Sequence, residues 1–446
     1  MTASSFLKGL INKVAAPVDP ARGAGRRARE VAELCRALMS ERGEVSGAAL
    51  ARDVLAAYAA LPDNAHTPFL QLLAEEFSPD PAAIENAAEE YCRDTSPQCL
   101  IKLQQAVESP RQEMFRRLNV APGATALLVD LRRRLLRELR SNPQLVAVDA
   151  DLAHLFGSWF NRGFLKLERI DWRTPAIVLE KLIAYEAVHE IAGWKDLRRR
   201  LAADRRCFGF FHPALPDEPL IFIEVALTGR ISDAVAPLLD QESPEADPAR
   251  ADCAIFYSIT NCQEGLRGIS FGNMLIKQVA EQLSREFPRL KHFATLSPVP
   301  GFRGWLETVA REDEAVDILL ETLKKRGWHQ DAAMADNLRD QLMALCAHYL
   351  LRAKKDGAPL DAVSRFHLGN GARLEQLHWL ADVSPAGMQR SAGMMVNYVY
   401  RLDEVETNHE AFIREGKIAA SHAVRKLARD SNLAEQKTAA KAGRAN

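Results

Sequence analysis

The chain has 446 residues, 47% hydrophobic and 26% charged, which is enough apolar surface for a sizeable core and a length that suits two or three domains. Its 58 Lys and Arg against 59 Asp and Glu leave a formal net charge of −1, so no global field draws in a polyanion or an anionic membrane, and nucleic acid is not an expected partner. No stretch approaches the roughly 18 apolar residues of a membrane span, and the basic N-terminal segment lacks the apolar core and cleavage site of a secretory signal.

The first 170 residues carry helical periodicity broken by short punctuation. At 125–140 the apolar residues Leu127, Leu128, Leu131, Leu135, Leu136 and Leu139 recur at steps of one, three and four, with Arg132, Arg133, Arg134, Arg137 and Arg140 opposite. That pattern predicts one wall of a helical bundle, and the arginines read first as a solvated face paired to nearby acids. Ser141-Asn142-Pro143 should end the helix. Beyond 200 the pattern changes: LIFIEVAL at 220–227, AIFYSI at 254–259 and HFATL at 292–296 read as strands, and GNMLIKQVAEQLSRE at 272–286 as an amphipathic helix. Strand, glycine loop, helix and strand make a crossover unit, which joins parallel strands. Two further helices are expected between 314 and 352, as an insertion before extended sequence resumes, and residues 436–446 form a small, basic tail.

The seven cysteines show neither a CxxC nor a Cys/His ligand spacing, which is cytoplasmic usage and implies no metal site. Three segments carry chemistry. In QEGLRGISFGNML at 263–275, Gly265, Gly268 and Gly272 let a backbone approach a ligand, and the following helix offers its N-terminus to an anion. A phosphate site and a glycine turn kept for packing both fit. Neither a P-loop nor a GxGxxG fingerprint is present. In TLSPVPGF at 295–302, Ser297 leaves a strand into a proline-stiffened turn, with no nucleophile elbow around it. In FHLGNGA at 366–372, His367 precedes an Asn-Gly reversal and is either a structural histidine or a titrating one.

The loop resembles the acyl-CoA pyrophosphate motif Q/R-x-x-G-x-G/A of GNAT acyltransferases, read here as Arg267-x-x-Ser270-x-Gly272 with serine replacing the first glycine. Together with LTGRISDAV at 227–235, FYSITNCQEGLRGISFGNMLIKQV at 256–279, TLSPVPGFRGWL at 295–306, FHLGNGA, ADVSPAGM and VNYVYRL, the sequence resembles the malonyl-CoA decarboxylase family over roughly 164–402. The resemblance implies an α+β protein. Residues 1–170 would form an all-helical oligomerisation domain and 171–435 a GNAT-like mixed-sheet catalytic domain with a helical insertion. It implies Ser297, His367 and Tyr400 as catalytic residues, and Arg267, Gly268, Ile269, Ser270, Phe271, Gly272 and Asn273 as the CoA-binding loop. Malonyl-CoA and acetyl-CoA would be the ligands, in a homo-oligomer, dimer or tetramer. Some relatives carry Glu at the position of Ser270, so no carboxylate role transfers there.

Loss of CO₂ from a malonyl thioester leaves an enolate. The thioester is itself the electron sink, so no cofactor is expected. In this reading Ser297 orients the malonyl carboxylate and His367 gives a proton to the nascent methyl carbon. An acyl-CoA-dependent N-acyltransferase and a non-enzymatic CoA-responsive scaffold are the alternatives.

Overall fold

A computed structural model describes residues 20–41, 43–269, 271, 275–431 and 433; the expected tail at 436–446 lies outside them. The chain divides into two compact units. One comprises residues up to Leu165 together with His212–Pro216 and Gln263–Phe271, and the other the remainder.

The first unit is helical: α1 (Pro20–Ser40), α2 (Glu44–Ala59), α3 (Asp63–Glu76), α4 (Pro81–Arg93), α5 (Pro97–Val107), α6 (Pro110–Leu118), α7 (Ala124–Glu138) and α8 (Val146–Trp159). Local sequence explains several of the starts. Proline opens α4, α5 and α6, where its missing N–H costs nothing, and Asp80 and Ser96 cap the first two by accepting the N–H of Ala82 and Cys99. On α7 the leucine stripe behaves as its spacing predicts, with Leu128, Leu131 and Leu135 buried. The opposite face is only partly a solvated one. Arg133 and Arg134 pair with Asp130, and Arg137 with Glu264, but Arg132 is buried. It stands four residues after Leu128 and three before Leu135, on the buried face of the helix and not on the solvated one.

A buried ion pair lies deeper in the bundle. Asp151 on α8 accepts from Arg111 of α6, and also from Ser109 Oγ and Gln112 Nε2, both at 2.7 Å. Removing one partner of such a pair leaves an uncompensated charge away from water.

The second unit is α+β. Its strands are β1 (Lys166–Ile170), β2 (Arg205–His212), β3 (Leu215–Thr228), β4 (Cys253–Asn261), β5 (His292–Thr295), β6 (Ser297–Pro298), β7 (Lys354–Lys355), β8 (Ala358–Pro359), β9 (Arg373–His378) and β10 (Met395–Val399). Eight of them form one sheet in the order β1-β2-β3-β4-β5-β10-β6, with β9 also on β10. Strands β4 and β5 are parallel, from Cys253↔His292 to Phe256↔Thr295, and α9 (Leu275–Glu286) makes the crossover. The other registers found in this sheet are antiparallel, so it is mixed, as the resemblance implied.

The three strands read from sequence occur, with β3 extended back to Leu215. The expectation of helix up to residue 170 fails at its end, because Lys166–Ile170 pairs with β2 as an edge strand. Only Ile170 of that strand is buried, and its charged residues face outward, which conceals the period of two. Both helices expected between 314 and 352 are present, as α10 (Glu314–Lys324) and α11 (Ala332–Arg352). The second is part of the core, burying Leu342, Leu345, Cys346, Tyr349 and Leu350. Among the described residues no helix is long and apolar enough to cross a membrane.

Asp151→Ala should lower unfolding free energy by about 3–5 kcal/mol, measured by urea denaturation at pH 7. A loss under 1 kcal/mol would show that Arg111 finds water or another acceptor.

Candidate active site

Three elements of the second unit converge on one imidazole. His367 sits in the last turn of α12 (Ala362–Gly369), a short helix whose start is capped by Asp361, which accepts the Ser364 N–H at 2.9 Å. The helix ends as the Asn-Gly pair requires. Ala372 N–H reaches back to His367 O and Gly371 N–H to Leu368 O, each at 3.0 Å, with Gly371 at φ 79°. This is a Schellman stop, and glycine is needed for a second reason: a Cβ there would stand 2.0 Å from the Val405 carbonyl oxygen. The main chain of His367 is thereby locked into the turn.

Ser297 is placed by a strand that changes neighbours. β5 and β6 are separated by Leu296 alone, and both pair with β10, Ala294 opposite Val399 and Ser297 opposite Val396. Side chains close the gap. Asn397 Nδ2 donates to Thr295 O at 2.7 Å, and the Tyr398 N–H donates to Thr295 Oγ1 at 3.1 Å. Tyr400 follows β10 directly, its N–H bonded to Phe293 O at 2.8 Å.

The result is one continuous hydrogen-bonded chain. Ser297 Oγ lies 3.1 Å from His367 Nε2, and His367 Nδ1 lies 2.8 Å from Tyr400 OH. The Ser297 hydroxyl donates to Thr295 Oγ1 at 2.9 Å. With that proton spent, the contact with His367 is made by Nε2–H donating to the serine oxygen, and Nδ1 accepts from the Tyr400 hydroxyl. The imidazole is also stacked on Tyr398, with centroids 4.6 Å apart and planes at 24°.

Ser297 is 6% exposed, His367 3% and Tyr400 1%, so the serine is the member of the chain nearest to water. Burial holds the histidine down to a pKa of about 3 and pushes the Tyr400 hydroxyl well above 10. Both rings are therefore neutral near pH 7.

Ser297, His367 and Tyr400 are thus brought together as the sequence reading expects of a site. Of the loop residues, Arg267, Gly268, Ile269 and Phe271 belong to the helical unit; Arg267 and Gly268 are exposed and Phe271 is buried. Ser270, Gly272 and Asn273 lie outside the described residues. Thr295, Asn397 and Tyr398 were missed. Thr295 stands two residues before Ser297 and Tyr398 two before Tyr400, so the period of a strand was the signal that could have found both. Among the described residues no group of three or more His, Cys, Asp or Glu is placed to hold a metal ion.

Comparison with known proteins places the chain in a family. The model of the malonyl-CoA decarboxylase C-terminal domain matches residues 163–440, and that of the N-terminal domain residues 77–160. The chain belongs to the malonyl-CoA decarboxylase family. It is 38% identical over 347 residues to the mitochondrial malonyl-CoA decarboxylase of Anser anser anser, covering 71% of this chain and 69% of that one. To the Rattus norvegicus mitochondrial enzyme it is 34% identical over 356 residues, with 73% and 72% covered. Among solved structures, malonyl-CoA decarboxylase from Rhodopseudomonas palustris is 52% identical with a TM-score of 0.86, covering 90% of this chain and 99% of its own. The one from Cupriavidus metallidurans is 38% identical with a TM-score of 0.71, at 90% and 100% coverage.

The depressed His367 pKa has a stability consequence with a definite sign. Between about 3 and 6.5 the unfolded chain binds a proton at this residue that the folded chain does not, so stability is full above pH 6.5 and falls as pH drops through that window. From pH 7 to pH 5 the protein should lose about 2 kcal/mol more than its His367→Gln variant, measured by urea unfolding at both pH values. Equal losses would mean that the imidazole titrates normally.

Proposed function

We propose that this protein decarboxylates malonyl-CoA to acetyl-CoA and CO₂, as a carboxy-lyase, with the buried Ser297–His367–Tyr400 chain as its proton-handling centre. The observation that carries the reading is that chain of hydrogen bonds, in a sequence matched by both domains of the family. The seven cysteines, all free, support a cytoplasmic setting.

The chemistry starts from a neutral site. A malonyl carboxylate seated on Ser297 draws the serine O–H away from Thr295 and puts a negative charge next to the imidazole. That charge raises the proton affinity of His367, which takes up a proton on Nδ1 with the Tyr400 oxygen as acceptor. When the bond to the carboxylate carbon breaks, its electron pair passes into the thioester enolate and CO₂ departs. The Ser297 hydroxyl then gives its proton to the carbanion carbon and Nε2–H of the imidazolium refills the serine, so the proton that reaches carbon comes from His367 by way of the serine. The ring is left neutral but protonated at Nδ1, and the resting form returns when Nε2 recovers a proton from water and Nδ1 gives one up. One proton is consumed and none is left as a buried charge.

The loop bearing Arg267, Gly268, Ile269, Ser270, Phe271, Gly272 and Asn273 is proposed to hold the CoA pyrophosphate. Its exposed Arg267 supplies the charge that an anion needs. A homo-oligomer is proposed through the helical unit, because α5 buries none of its residues and leaves Leu100, Ile101 and Val107 exposed at 40%, 52% and 48%.

Incubation with malonyl-CoA alone, followed by mass analysis, should yield acetyl-CoA and CO₂ without any acceptor amine. Unchanged malonyl-CoA, or turnover that waits for an amine, would contradict the assignment. His367→Ala should lower kcat about 10²- to 10⁴-fold while the Kd for CoA stays within a factor of about two, a change worth only about 0.4 kcal/mol. Arg267→Ala should do the reverse, raising KM with kcat preserved.

A further inference from the structure

We infer that Arg132 is a positioning residue for acyl-CoA: from helix α7 it fixes the shape of the loop at 263–269, and so makes substrate affinity a property of the helical unit. The inference rests on the reading of that loop as the CoA site.

Arg132 is 4% exposed. Its Nε–H donates to Asp149 Oδ1 of α8 at 2.8 Å, and Nη1 donates to the carbonyl oxygens of Gly265 and Arg267 at 2.8 and 3.0 Å. A planar guanidinium with its donors in a fixed fork can satisfy a carboxylate on one edge and two carbonyls on another. Around it the loop is pressed onto α7. A Cβ at Gly265 would stand 2.0 Å from the Val129 carbonyl oxygen, so only glycine permits the approach, and Leu266 is buried beside it. At the rim Arg137 pairs with Glu264 at 2.6 Å.

The consequence lies in the backbone. In a trans peptide the carbonyl and the next N–H point in opposite directions, and the chain has no cis bonds among the described residues. With the Arg267 carbonyl turned to the guanidinium, the Gly268 N–H is turned away from it. Gly268 is exposed and adopts φ 82°, a conformation that glycine takes without strain. Arg132 thus orients an outward-facing amide dipole next to the exposed Arg267, the combination that receives an anionic oxygen. The ligand class is a diphosphate ester with the charge of CoA. An arginine kept only to solvate Asp149 has no need of the two loop carbonyls.

The test uses the full-length protein with Arg132→Met and Arg132→Lys, alongside Arg267→Ala, reading calorimetric Kd for CoA together with kcat and KM for malonyl-CoA. Arg132→Met should raise Kd and KM about tenfold, the scale of a lost charge-assisted hydrogen bond, with kcat unchanged, and Arg132→Lys should fall between it and the parent. A lowered melting temperature with unchanged KM and Kd in both variants would overturn the inference. If Arg267→Ala raises KM and the Arg132 variants do not, the inference alone fails; if neither position alters CoA binding, the loop reading fails with it. Should Arg132→Met not fold, Arg132→Lys supplies the readout, because a single ammonium nitrogen cannot reproduce the fork in which Nε meets Asp149 and Nη1 the two carbonyls.

Discussion

A histidine kept out of water while bonded at both nitrogens is the constraint on which the rest of the second unit depends. Burying an imidazole disfavours its charged form, and His367 is held neutral for that reason alone. A neutral ring has one donor and one acceptor, so its partners must differ in kind. Ser297, with its own proton committed to Thr295, accepts from Nε2; Tyr400, whose hydroxyl stays protonated in its buried site, donates to Nδ1. In the proposed mechanism this arrangement changes when a carboxylate reaches the serine.

Much of the surrounding architecture fixes these side chains to within a rotamer. The Schellman turn at Asn370 and Gly371 sets the histidine, and the handover from β5 to β6 along β10 sets the serine. The helix carrying His367 is supported in turn by α11, whose Tyr349 hydroxyl donates at 3.4 Å to Asp361, the cap of that helix. Trp305 packs on His348 and Tyr349, with ring centroids 5.9 and 5.2 Å apart, so the second of the two helices between 314 and 352 helps to hold the site. In the helical unit the same economy appears around Arg132, where one buried cation organises a loop through its carbonyls.

The sequence made the central strands legible, because LIFIEVAL and AIFYSI are short runs rich in β-branched and aromatic residues, the first of them bounded by turn-rich sequence. It made the crossover legible through the glycine loop and the amphipathic helix after it. It hid β1 and the start of β2, where Lys166, Arg169, Arg205 and Arg206 interrupt the alternation; Arg169 and Arg206 are satisfied by Glu286, remote in sequence. Ser297 and His367 were visible as residues held by stiff turns, but their meeting was not, since a separation of 70 positions is bridged only by the sheet. Thr295 and Tyr398 escaped notice because each looks like an ordinary strand residue until its neighbour's role is known. Arg132 escaped because the arginines read as one face, although its spacing from Leu128 and Leu135 puts it on the buried stripe.

The claim that the site rests neutral and bonded at both nitrogens is tested most directly by ¹⁵N NMR of histidine-labelled protein, with the His367 signal assigned through His367→Gln. The account predicts a neutral ring protonated at Nε2 and accepting at Nδ1, unchanged from pH 8 down to about 5, as burial requires. A His367 resonance that titrates with a midpoint near 6.5, or a ring protonated at Nδ1, would contradict it.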